Sequence, residues 1–255
     1  MKRIELENFL KQLLRPELFD DYCPNGLQIE GSEELKKIIF AVSATKESCE
    51  YAAQTKAQAL IVHHGVFWKF HGTRTLTGPF AKRLFPLIKN DINLLAYHLP
   101  LDGHPEIGNA AALAKLIGLT NLSSFGSYKG MSTGIMGELN KPVHGNDFKN
   151  LLEEKLNHAI LYSEPNESKA LISKIGIITG GANSQWNEAY KLGLDAYITG
   201  EMSEHDYHES RESGIHMYAG GHHATEKLGI ISLMEVIKKE FPMLDCIFLD
   251  SKNPA

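Results

Sequence analysis

Cysteine is scarce in this chain. Cys23, Cys49 and Cys246 are the three among 255 residues, far apart and odd in number. They form no CxxC pair, so neither a disulfide framework nor a zinc ribbon is expected, and a reducing cytoplasm fits best. Basic charge is also in deficit: 26 Lys and Arg stand against 31 Asp and Glu, a formal charge of −5. Broad electrostatic binding to nucleic acid needs a basic stripe and is not expected. Long apolar runs are missing too, and none approaches the length of a membrane span. The N-terminus places Leu6, Phe9, Leu10, Leu13 and Leu14 at helical spacing among charges, which predicts an amphipathic helix and not a signal peptide. What the chain does have is apolar mass. Hydrophobic residues make up 43%, enough for a substantial core in one large domain or two small ones.

Short β-rich runs alternate with helical patterns. Strands are expected at 37–42, 57–62 and 92–97, with helices at 46–55, 78–90 and 109–116. This alternation predicts an α/β fold with a largely parallel sheet. The Gly- and Ser-bearing stretch 122–130 is the best candidate for a boundary or crossover. A second series follows: strands at 133–139, 175–178, 196–198 and 215–219, and helices at 145–156 and 187–192. A helix near 226–239 and a strand at 246–249 close the chain. Residues 1–126 with 227–255 are read as a first α/β lobe and 127–226 as a second. Two such lobes would put a site in the crevice between them.

Three groups past strand ends carry chemistry. His63-His64-Gly65 follows the apolar run Ala59–Val62. Ligands of open α/β sheets bind beyond the carboxyl ends of strands, and neutral imidazole is the commonest metal ligand. Neighbouring strand residues point to opposite faces, so both rings reach one site if the strand breaks between them or if two metals are present. A pair of turn histidines is the alternative. His98-Leu99-Pro100-Leu101-Asp102 leaves the next strand; Pro100 is expected to stop it, and a carboxylate there has two oxygens with which to bridge cations. Asp102 also reads as a helix cap, and His98 as a hydrogen-bonded group behind the ligands. In Gly220-Gly221-His222-His223-Ala224-Thr225-Glu226, the four-residue spacing of His222 and Glu226 lets both grip one ion from one helix face. A plain helix start is the other reading. Together the groups offer three to four imidazoles and two carboxylates, a mixture that suits zinc, iron, manganese or nickel and not calcium. That is more than one open zinc site requires and suits two metals with a bridging water.

Glu201, His205 and His208 are weaker candidates to line the same crevice. His71 and Arg74 are candidate contacts for an anionic substrate. Cys23-Pro24-Asn25-Gly26 reads as a turn, and Gly180-Gly181 lacks the Lys-Ser/Thr of a phosphate loop.

The combination of His63-His64-Gly65 with Trp68, His98-Leu99-Pro100-Leu101-Asp102, Thr199-Gly200-Glu201 and Gly221–Glu226 resembles the NIF3-like family. It is similar in particular to the short bacterial members, of the YbgI type. Asp21–Gln28 resembles that family's N-terminal motif, and the match spans nearly the whole chain in order. The resemblance implies a two-metal centre between two α/β lobes, with His63, His64, Asp102, His222 and Glu226 as ligands. His98 would lie behind the ligands or face substrate, and Glu201, His205 and His223 are possible supporting groups. The resemblance also implies a ring-shaped homohexamer, and family members carry a likeness to a type of GTP cyclohydrolase I. Ser43 stands where many relatives have Asp, so a role for that Asp does not carry over.

Two functions compete. The first is a cytoplasmic hydrolase with two divalent metal ions per chain, acting on a small molecule, with His98 as the proton shuttle and Glu201 or His205 as a weaker alternative. The second is a metal chaperone or metal-dependent adaptor without turnover. A ring that binds nucleic acid is a third, opposed by the acidic balance of charge.

Overall fold

A computed structural model describes residues 1–167 and 171–255. Along the chain, helix α1 (Arg3–Leu14) precedes strands β1 (Gly26–Ile29) and β2 (Lys37–Ser43), helix α2 (Lys46–Gln54), strand β3 (Ala59–His64), helix α3 (Gly78–Lys89) and strand β4 (Asn93–Ala96). The short helix α4 (Leu99–Asp102) leads to α5 (Asn109–Leu116), β5 (Thr120–Phe125), β6 (Gly134–Val143), α6 (Gly145–Leu156), β7 (Leu161–Ser163) and β8 (Ile172–Ile177). Then come α7 (Trp186–Lys191), β9 (Ala196–Thr199), α8 (Glu204–Ser213), β10 (His216–Ala219), α9 (His222–Glu240) and β11 (Asp245–Phe248). These elements form two compact units, Met1–Leu101 with Ile230–Ser251, and Asp102–Gly229 with Lys252–Ala255.

The first unit holds a five-stranded sheet in the order β1-β4-β3-β2-β11. β2, β3, β4 and β11 run parallel, and β1 is an antiparallel edge on β4. β2 and β3 are buried on both faces, as the apolar runs Ile38–Val42 and Ala59–Val62 require. On one face Ile39, Leu60, Val62 and Leu94 pack with Cys49 and Ala52 of α2 and Phe80, Leu84 and Leu87 of α3. Thr45 caps α2, its hydroxyl accepting from the Ser48 amide while the Ser48 hydroxyl accepts from the Thr45 amide. The register of β2 on β3 sets Ser43 opposite His64.

The second unit holds a six-stranded sheet, β5-β6-β8-β9-β10-β7. β8, β9 and β10 are parallel to one another, while β5, β6 and β7 pair antiparallel, so this sheet is mixed and not largely parallel as the alternation suggested. Alternate residues of its strands feed two cores. Ile175, Ile177, Ala196, Ile198 and Tyr218 meet Phe148 and Leu152 of α6 on one side. Tyr197 and Met217 meet Phe125, Trp186 and Ala189 on the other.

The expected elements are present, with changed ends. Strand β3 runs through both histidines, so it does not break between His63 and His64. The backbone bond from the Ala44 amide to the His64 carbonyl extends the pairing to that point. Strand β4 already ends at Ala96, and Pro100 lies in the first turn of α4, where a missing N–H costs nothing. Residues 122–125 form part of the edge strand β5, because antiparallel pairing with β6 satisfies their backbone despite the Gly- and Ser-bearing composition. Helix α9 begins at His222, four residues before the expected start. The stretch 109–125, read as part of the first lobe, packs in the second unit: Ala110, Leu113 and Ala114 of α5 share a core with Phe148 and Ile175. The division of the chain at its other end falls inside α9, after Gly229.

Candidate metal centre

In the first unit, the carboxyl ends of β2, β3 and β4 bring Ser43, His63, His64 and His98 together. A nitrogen of each of the three rings His63, His64 and His98 lies within 4.8 Å of the others. The ring centroids of His63 and His64 are 4.6 Å apart, and those of His63 and His98 5.1 Å. His63 is fully buried. Its Nδ1 sits 3.0 Å from the Tyr97 carbonyl oxygen, which can only accept, so Nδ1 carries a proton. His64 Nδ1 is 3.0 Å from Ser43 Oγ, so Ser43 fills a supporting place beside that ring. Gly65 follows because Gln28 closes over it: any Cβ there would collide with the Gln28 amide group, which accepts from the Val66 amide and donates to the Pro24 carbonyl.

Asp21 is the residue of this cluster to which the sequence assigned no role. It is buried, and its carboxylate accepts from His98 Nδ1 at 3.0 Å, the Leu99 amide at 2.9 Å, Asn25 Nδ2 at 2.9 Å and the Cys23 amide at 3.2 Å. Burial alone would push this carboxyl up; the bonds from His98, Asn25 and Leu99 outweigh it and hold the group at about 2. Tyr22 and Trp68 stand edge-on to the His98 ring, at 5.0 and 5.1 Å between centroids. The only sequence signal for Asp21 was its place at the head of the motif that contains the Cys23–Gly26 turn.

In the second unit, the loops after β8, β9 and β10 converge. Glu226 Oε2 is 3.2 Å from His222 Nε2, one turn away on α9, and Glu201 Oε1 is 2.5 Å from His222 Nδ1. Burial opposes charge on His222, but the Glu226 and Glu201 carboxylates prevail and push its pKa up to about 9. Asp102 Oδ1 accepts from Asn109 Nδ2 at 2.8 Å and from Thr179 Oγ1 at 3.5 Å. Asn109 is itself fixed by accepting from the Gly229 amide at 2.8 Å. Gly180, at φ +69°, has no room for a Cβ, which would run into the Glu226 carboxylate.

The weaker candidates divide. Glu201 touches His222. His205 is exposed on α8 with Nε2 3.5 Å from Asp206, and His208 faces Glu204 at 3.2 Å. His223 is buried, and its amide donates to the Ala255 carbonyl. His71 and Arg74 contact each other at the surface, and Arg74 lies over the Phe80 ring at 3.8 Å. Asn109 and Thr179 were missed because each looks like an ordinary polar residue at a helix start or strand end.

The donor chemistry fits divalent metal. Each unit supplies imidazole nitrogen or carboxylate oxygen in a hydrogen-bonded setting, and His63 is held through Nδ1 by a backbone carbonyl.

Comparison with known proteins agrees in sequence and fold. The chain is 46% identical over 256 residues to a protein of Haemophilus influenzae named GTP cyclohydrolase 1 type 2 homolog, covering all of both chains. It matches a solved structure of the protein ybgI, described there as of unknown function, with a TM-score of 0.90 and 41% identity over the whole of both chains. The protein TTHA1606 from Thermus thermophilus matches with a TM-score of 0.88 and 30% identity, again over both whole chains. The model of the Duf34/NIF3 (NGG1p interacting factor 3) family matches residues 1–254, and the chain belongs to that family.

Proposed function

We propose that this protein is a dinuclear metal-dependent hydrolase, with His63, His64, Asp102, His222 and Glu226 as the metal ligands. The observation that carries the reading is the convergence of nitrogens from the buried His63 and His98 and the half-buried His64 at the carboxyl ends of β3 and β4. The pairing of His222 with Glu226 on α9 supplies donors of the second unit. The chemistry that such ions supply when bound is Lewis-acid polarisation and activation of water at neutral pH. His98 holds and returns the proton at Nε2, since its Nδ1 is committed to Asp21. Glu201 orients His222 through Nδ1, and Asn109 and Thr179 orient Asp102. The names of the curated relatives make GTP the first substrate to try. A homohexameric ring, implied by the sequence resemblance, is part of the same proposal.

The test starts with elemental analysis of protein purified without chelator or added metal, expected to give about two ions per chain. A screen of nucleotides, GTP included, and phosphoesters follows, with and without that metal. His98→Ala is expected to keep both ions and to lose about 100- to 10,000-fold in turnover. If the loaded protein turns over none of them yet passes its metal to an apo-acceptor faster than free metal exchanges, the protein is a metal chaperone. The part-exposed His222 ring is the feature that favours that second reading.

A further inference from the structure

We propose that Asp21 is the positioning residue of His98: it fixes the tautomer and orientation of the ring, so that Nε2 is the nitrogen left for proton transfer. The catalytic part of this inference rests on the reading of His98 given above; the positioning part does not. The carboxylate of Asp21 can only accept, so the proton between it and His98 Nδ1, 3.0 Å away, belongs to the ring. Both residues are buried, with relative exposures of 6%, so no bulk water competes for that bond. The contact is built from both ends of the peptide as well. Asp21 Oδ2 accepts from the Leu99 amide, and Asn25 Oδ1 accepts from the His98 amide at 2.8 Å. Asn25 Nδ2 returns to Asp21 Oδ2. The segment 21–25 therefore grips residues 98–99 by two backbone amides and one ring nitrogen. Tyr22 and Trp68, edge-on to the same ring, close off its tilt.

Four donors converging on one buried carboxylate exceed what a turn needs. A turn at 21–25 is served by the Cys23 and Asn25 bonds alone. The long-range bonds to His98 and Leu99 serve the imidazole. The arrangement is that of a carboxylate holding a catalytic imidazole in the correct tautomer without itself taking the proton.

The test is Asp21→Asn, which keeps shape: with its oxygen in the place of Oδ2 it still accepts from the Leu99 amide and Asn25 Nδ2, while its NH2 group, in the place of Oδ1, faces the ring and gives up the Cys23 amide bond. The first readout is solid-state NMR of metal-free and zinc-loaded protein with 15N-labelled histidine rings, the His98 signals being identified by their loss in His98→Ala. The wild-type ring is expected to carry its proton at Nδ1, and Asp21→Asn to move it wholly or partly to Nε2. The second readout is a double-mutant cycle on turnover. Asp21→Asn is expected to lose at least about 10-fold in kcat with metal content unchanged, and to add nothing to His98→Ala. Should Asp21→Asn fail to fold, Asn25→Ala, which removes one bond to each of Asp21 and His98, is expected to give the same shift in weaker form. A His98 ring that keeps Nδ1–H in the folded variants overturns the proposal, as does full additivity of the two kcat losses. A tautomer shift in a protein that turns over no substrate leaves Asp21 as the positioning residue and removes the hydrolase reading instead.

Discussion

Glu226 Oε2 lies 3.2 Å from His222 Nε2, on the same face of α9, and Glu226 is 3% exposed while His222 is open on one side. A buried carboxylate beside an imidazole is costly to leave uncompensated. Here a proton on His222, the group pushed up to about 9, compensates it. Under the proposed ligation, metal and proton would compete for this pair of residues.

With His222 as a proposed ligand, metal uptake is expected to release its proton. An imidazole must be neutral to bind metal, so apparent affinity is expected to rise about tenfold per pH unit from neutrality to about 9 and then flatten. Calorimetry in buffers of different ionisation enthalpy reads the proton directly, and His222→Ala should abolish it. In the absence of metal the sign for stability is opposite. The stabilising pair is fully formed below pH 6.5 and is lost as pH rises through about 9.

Asp102→Ala and Glu226→Ala are each expected to remove metal while the chain stays folded. Asp102 ends α4 and Glu226 lies in the first turns of α9, and neither belongs to the apolar clusters that hold the sheets. Elemental analysis paired with circular dichroism checks this. Insoluble variants whose remaining soluble fraction keeps full metal would show that these side chains serve the fold instead.

Gly180→Ala should damage the same centre through the backbone. Its φ of +69° costs an alanine about 1–2 kcal/mol, and the new Cβ displaces the Glu226 carboxylate. A lower melting temperature together with weaker metal binding is the expected pair of results. Gly193→Ala, at φ +68° with open space around it, should lower stability and leave metal binding alone.

Acid should destabilise the first unit through Asp21. Its carboxyl is held at about 2 against 3.8 for the free group, so it contributes about 2 kcal/mol above pH 4. That contribution falls away as pH drops from about 4 towards about 2, because the unfolded chain takes up the proton first. Denaturant titrations of wild type and Asp21→Asn across this range should differ in slope, the variant lacking this part of the acid loss.

The sequence alone determined the α/β class, most strand positions and the residue types that could hold metal. That was possible because buried parallel strands are written as apolar runs and because His63-His64, His98, Asp102, His222 and Glu226 stand at their ends. Tertiary structure decided the rest. Strand order in the two sheets, the pairing of residues 120–125 as an edge strand and the membership of α5 in the second unit depend on long-range packing that local composition does not encode. So do the hydrogen-bond partners of the imidazoles. Asp21 is separated from His98 by 77 positions, and Ser43 from His64 by 21. A carboxylate or hydroxyl in a loop has many possible uses, and only the folded backbone, by bringing one acceptor to one ring nitrogen in a dry site, selects among them.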